Sequence, residues 1–223
     1  MKNIWIIANW KSNKNISEAL DWVAKVGPQI PQKDNLKVVI CPTFSCLSEI
    51  KQIIKVNNFP LMLGSQDLSP FGIGAYTGEE SAPLLKELVD LSILGHSERR
   101  KNFHEDDEMI AKKVQQALVN KIIPLVCLQG SEISVPKGCK LVAYEPITAI
   151  GTGNPDTPEN ANLIAKKIKQ QYGEDLEVLY GGSVSSQNIL GFINQPDISG
   201  VLVGNASLNA EEFIKICNSN LLN

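Results

Sequence analysis

Residues Lys140 to Asn154 read Lys-Leu-Val-Ala-Tyr-Glu-Pro-Ile-Thr-Ala-Ile-Gly-Thr-Gly-Asn. Within the strand candidate Lys140–Tyr144, Leu141 to Tyr144 are apolar at successive positions and therefore on both faces, the pattern of a strand buried inside a parallel sheet. It delivers a carboxylate, Glu145, to the start of a loop punctuated by Pro146, Gly151 and Gly153. A carboxylate beside a loop that can close and shed water gains basicity, which suits it to taking a proton from carbon.

The same unit recurs on either side. Short β-rich runs lie near residues 4–9, 36–41, 60–64, 90–95, 122–128, 140–144, 176–180 and 200–203. Helical patterns separate them near 17–26, 44–57, 81–89, 106–120, 157–172, 186–194 and 210–221. The clearest runs from Asp106 to Asn120, with acids in its first turn and a stripe of Ile110, Val114, Ala117 and Leu118. Eight strands in strict β/α alternation argue for a closed (βα)8 barrel, with a doubly wound open sheet as the competitor.

One unit is stunted. Only twelve residues, Pro136 and Gly138 among them, separate Leu128 from Leu141, close to the ~10–12 that a whole parallel crossover needs. The fifth βα unit is therefore expected to hold at most a turn or so of helix. Its barrel wall would be thinly covered, with apolar surface that another subunit could seal.

Composition narrows the setting. With 223 residues, 43% of them hydrophobic, and no linker or composition break, the chain reads as a single domain over 1–223. A net charge of -3 and only two arginines, Arg99 and Arg100, offer no basic field for nucleic acid. No apolar run approaches the ~20 residues of a spanning helix, and the amino-terminal residues lack a secretory pattern. The five cysteines, at 41, 46, 127, 139 and 217, form no Cys-x-x-Cys pair. Neither a disulfide framework nor a zinc cluster is expected, and a cytoplasmic location fits best.

In a barrel of this kind the site forms at the carboxyl ends of the strands. After the first strand come Asn9, Trp10 and Lys11; Lys11 is either an anion ligand at the barrel mouth or one of nineteen ordinary lysines. After the fourth comes Gly95-His96-Ser97-Glu98-Arg99-Arg100. If His96 opens a short helix, the positive end of the dipole keeps the imidazole neutral and able to donate to a carbonyl; otherwise it is a core-edge histidine satisfied by backbone. Glu98 and Arg99 read as an ion pair bracing that loop. Gly151, Gly181-Gly182-Ser183 and Gly204-Asn205 follow the last three strands and could aim backbone N–H groups at one phosphate.

Six segments in order, ANWKSN (8–13), GAYTGE (74–79), LGHSERR (94–100), AYEPITAIGTG (143–153), YGGSV (180–184) and LVGNASL (202–208), resemble the motif set of the triosephosphate isomerase family. The resemblance implies a TIM barrel that interconverts dihydroxyacetone phosphate and D-glyceraldehyde 3-phosphate in glycolysis and gluconeogenesis, with no cofactor and no metal. Glu145 would be the base and His96 the neutral electrophile. Asn9 and Lys11 would hold substrate and offset enediolate charge. Gly151, Ser183, Gly204 and Asn205 would bind phosphate, residues 146–153 would close as a lid, and Glu98 would support the site. The GAYTGE loop, with Thr77 at its tip, would reach into a neighbouring subunit, implying a homodimer; the short fifth unit is similar to compact members, some of which are tetramers.

Three departures stand out. Thr148 occupies the lid-hinge position where the family usually has tryptophan, and Gln129-Gly130 replaces the usual Gly-Glu after the strand of Cys127. Asn205 replaces the second phosphate-loop glycine, where its tolerance of positive φ would let its N–H still face the phosphate. Another phosphosugar isomerase or epimerase barrel, or a non-catalytic phosphometabolite-binding barrel, would share the glycine loops but not the pairing of His96 with Glu145.

Overall fold

The computed structural model describes residues 2–130, 134–146 and 155–219. Eight parallel strands close into a barrel in sequential order: β1 (Ile4–Asn9), β2 (Leu36–Cys41), β3 (Met62–Ser65), β4 (Leu91–Leu94), β5 (Ile123–Leu128), β6 (Leu141–Tyr144), β7 (Glu177–Tyr180) and β8 (Ile198–Val203). β8 returns to β1 with Val201 opposite Ile6, so the open-sheet alternative is excluded.

Strand pleating sorts the apolar residues into two sets. Trp5, Ile7, Val39, Cys41, Ile93, Leu125, Cys127, Ala143 and Leu179 fill the barrel interior. Their neighbours one residue along, Ile6, Ala8, Val38, Ile40, Val126, Val142 and Val178, point outward into the layer shared with the helices. That alternation explains why the strands read as unbroken apolar runs: both faces are buried.

Eight helices lie among the described residues: α1 (Ile16–Val26), α2 (Leu47–Asn57), α3 (Ala82–Leu85), α4 (Ser97–Phe103), α5 (Asp107–Val119), α6 (Pro158–Tyr172), α7 (Ile189–Ile193) and α8 (Ala210–Asn218). Several open on side-chain caps placed by sequence, including Asn15 with Glu18 in a capping box on α1, Asp106 on α5 and Asn209 on α8.

The helices expected over 81–89 and 186–194 are much shorter than their patterns suggested. α3 stops after one turn because Asp90 must already be extended, exchanging hydrogen bonds with the backbone of Leu63. α7 starts late because Asn188 accepts from Ser185 N–H and donates to Ser183 O, a local turn that competes with helix. The segment expected as helix over 44–57 begins with a 3-10 turn, Phe44–Cys46. On α5 the stripe also differs: Leu118 is 37% exposed, and Lys113 is buried in its place.

In the fifth unit, no helix forms among the described residues between β5 and β6. In its place Leu118, Ile122, Pro124 and Leu141 line a shallow apolar groove of about 280 Å³ rimmed by Lys121 and Lys140. At the β8–β1 seam, Gly200 has φ +148°, and a Cβ there would sit 2.0 Å from the carbonyl oxygen of Trp5. Only glycine permits the two strands to approach this closely.

Candidate active site

A cavity of about 710 Å³ opens at the carboxyl ends of the strands, lined among others by Asn9, Lys11, His96, Glu145, Ser183 and Gly204. Each comes from a strand end, so residues up to about 195 positions apart in sequence are brought to one mouth.

Glu145 follows β6 directly, its N–H donating to Leu128 O of β5 at 2.7 Å, and its side chain is 1% exposed. Oε2 accepts from the backbone N–H of Ser97 at 3.0 Å and from the side-chain amide of Gln129 at 3.4 Å. Oε1 lies 3.1 Å from Nε2 of His96. The thiol of Cys127 lies against the same carboxylate; burial first, then the negative charge of Glu145, hold its pKa well above the ordinary thiol value.

His96 caps α4. Its Nδ1 accepts from Glu98 N–H at 3.2 Å, while the Glu98 carboxylate is 3.7 Å from the same nitrogen. The shorter contact, which has donor geometry, sets the tautomer: a lone pair on Nδ1 and the proton of a neutral ring on Nε2, facing Glu145. Gly95, with φ +64°, makes the turn that swings His96 from strand to cap.

Lys11 sits in the left-handed region with φ +53°. Its N–H donates to Oδ1 of Asn9 at 3.0 Å, and its carbonyl accepts from the side-chain amide of Gln66 at 2.7 Å. Its ammonium donates to Oε1 of Glu98 at 2.5 Å. The expected Glu98–Arg99 pair is therefore not formed: Glu98 reaches across the mouth to Lys11. Arg99 instead pairs with Asp67 at 2.8 Å and Glu105 at 2.6 Å.

That second cluster was not anticipated from the sequence. Lys113 donates to Asp67 at 2.7 Å and to Glu105 at 2.5 Å, both inside the protein. Burial raises the pKa of Asp67 to about 6, against the pull of Lys113. Burial also acts upward on Glu105, but hydrogen bonds from Lys113 and Arg99 win and lower it. The quartet fastens the base of the 66–80 loop to α4 and α5. Its sequence signal was a lysine at i+3 from Ile110, on the apolar face of α5.

On the opposite side of the mouth, Gly204 precedes a 3-10 turn, Asn205–Leu208, and Ser183 lies after β7. Asn205 does not use positive φ, contrary to expectation; it occupies the first position of the 3-10 turn. Thr77 is exposed in the 66–80 loop, away from the cavity lining of this chain. Gly151, Thr148 and residues 147–153 of the expected lid lie outside the described residues.

A family model described as triosephosphate isomerase matches residues 4–140 and 132–220. The chain belongs to the triosephosphate isomerase family. The two matched stretches overlap at 132–140, inside the shortened fifth unit. The triosephosphate isomerase of Caldanaerobacter subterraneus subsp. tengcongensis is 40% identical, with 98% of this chain and 100% of that protein covered. The triosephosphate isomerase of Mesomycoplasma hyorhinis is 39% identical, covering 99% and 100%. A crystal structure of triosephosphate isomerase from Bartonella henselae superposes with a TM-score of 0.85 at 27% identity, over 98% of this chain and 99% of that one. No helix among the described residues of this triosephosphate isomerase family member is long and apolar enough to cross a membrane.

Proposed function

We propose that the chain interconverts dihydroxyacetone phosphate and D-glyceraldehyde 3-phosphate by moving one proton between C1 and C2 through an enediolate, as a step of glycolysis and gluconeogenesis. The observation that carries this reading is the pairing of a fully buried carboxylate with the Nε2 edge of an imidazole whose Nδ1 accepts from backbone, the two groups 3.1 Å apart in the cavity. Glu145 removes the proton from one carbon and returns it to the next. His96 donates from Nε2 to the carbonyl oxygen, so the developing negative charge meets a fixed neutral donor. A glutamate base working beside a neutral histidine is the known arrangement of the triosephosphate isomerase family, and the two roles are carried over from it.

Asn9 and the ammonium of Lys11 face the developing oxyanion. The backbone N–H groups of Ser183, Gly204 and Asn205, with Gly151 from the lid, receive the phosphate. Glu98 supports this arrangement by holding the Lys11 ammonium at the mouth.

The chain assembles as a homodimer in the cytoplasm, with Thr77 supporting the partner's catalytic groups. What supports the dimer is the 66–80 loop, where Phe71 stacks on Tyr76 with ring centroids 4.3 Å apart and Ile73 is 73% exposed. Apolar surface of this kind at the tip of a well-anchored loop calls for a covering partner.

Turnover of Glu145→Asp and Glu145→Gln in a coupled assay tests the base. Shifting or removing it should cut kcat by roughly 10²–10⁴-fold with modest change in substrate binding. Unchanged turnover in both variants excludes Glu145 from that role.

A further inference from the structure

Glu145 as the structure holds it is not ready to react. Its Oε1 faces Nε2 of His96, the donor that the substrate carbonyl has to receive, and its Oε2 takes Ser97 N–H and the Gln129 amide. The carboxylate is parked, and substrate has to break this set before either group can act.

Of the two donors to Oε2, one is backbone and the other, Gln129, is a side chain outside the expected catalytic pair. The pleat of the barrel puts it there. Leu128 pairs with Tyr144, so residues 127 and 129 of one strand end and 143 and 145 of the next share the interior face. Cys127 and Gln129 therefore flank the Glu145 carboxylate, one a thiol from below and the other an amide from the rim.

We infer that Gln129 is a positioning residue that latches the base in its unreactive pose, through the hydrogen bond from its amide to Glu145 Oε2. The inference rests on the assignment of Glu145 as base. A latch present in the free protein and broken in the complex lowers apparent affinity by the fraction of molecules it holds back. It acts on ligands that displace the carboxylate and leaves alone those that occupy the phosphate loops only.

The test uses Gln129→Met, which keeps length and removes the donor, and Gln129→Gly, which removes the side chain. Both should bind 2-phosphoglycolate between about 2- and 10-fold more tightly and show a comparable fall in KM, the range set by one long hydrogen bond to a charged acceptor. kcat should move less than KM, and affinity for inorganic phosphate should stay the same. In a Glu145→Ala background, Gln129→Met should no longer alter 2-phosphoglycolate binding. Unchanged or weaker 2-phosphoglycolate binding in both single variants overturns the latch. So does an equal gain in the Glu145→Ala background, because Gln129 would then act through something else. Full turnover in Glu145→Gln would instead remove the base assignment itself, whatever the Gln129 variants show.

Discussion

Lys11 shows how much of a site is set by contacts that sequence order hides. A left-handed lysine costs on the order of 1–2 kcal/mol, and here it is held by Asn9 at its N–H, Gln66 at its carbonyl and Glu98 at its ammonium. Its place after the first strand was legible, because strand ends form the barrel mouth. Its partner was not: Glu98 lies 87 residues away, and the adjacent Arg99 offered a nearer match on paper. Only barrel closure shows that Arg99 is already engaged by Asp67 and Glu105. Gln66 and Gln129 escaped for a related reason, since an amide carries no motif until the carbonyl or carboxylate it donates to is in place. Replacing Lys11 by Met should weaken a phosphorylated inhibitor by at least ~10-fold, because a charge-assisted contact to a dianion is lost. Titration calorimetry would check this; equal affinity would take Lys11 out of the site.

Among elements, all eight strands were readable because both of their faces are buried and the apolar runs are unbroken. Helix ends were less so. The 81–89 and 186–194 segments have helical composition, yet Asp90 is tied to Leu63 of the neighbouring strand and the Asn188 side chain takes the N–H of Ser185. The β8–β1 seam makes a sharper demand. A methyl group at position 200 would meet backbone atoms of Trp5, and backbone of a central strand has nowhere to retreat. Gly200→Ala should therefore destabilise by more than about 2 kcal/mol. For a chain of this size that lowers Tm by roughly 4–8 °C, readable by calorimetry. An unchanged Tm would mean that the seam can open without cost.

The whole molecule is one closed sheet wrapped by helices, and this architecture was legible from the count and spacing of strands. A partner at the 66–80 loop was suggested only by the resemblance of the GAYTGE segment, because nothing in the spacing of apolar residues separates a loop that lies flat from one that projects. In the structure Phe71, Ile73 and Tyr76 stand exposed on the 66–80 loop while the Arg99–Asp67–Glu105–Lys113 cluster anchors its base. Ile73→Asp puts a charge in the middle of that surface. It should convert the proposed dimer to monomer in light scattering at micromolar concentration, with a parallel loss of activity. A dimer of unchanged mass would place the interface elsewhere.

The twelve-residue link between β5 and β6 is the shortest between any two neighbouring strands. Chain entropy lost on joining two segments grows with the length of what lies between them. The corner that carries Cys127, Gln129 and Glu145 is thus the part of the ring that is cheapest to zip together. A folding chain can have its acid and that acid's neighbours in register before the distant ends, β1 and β8, have met.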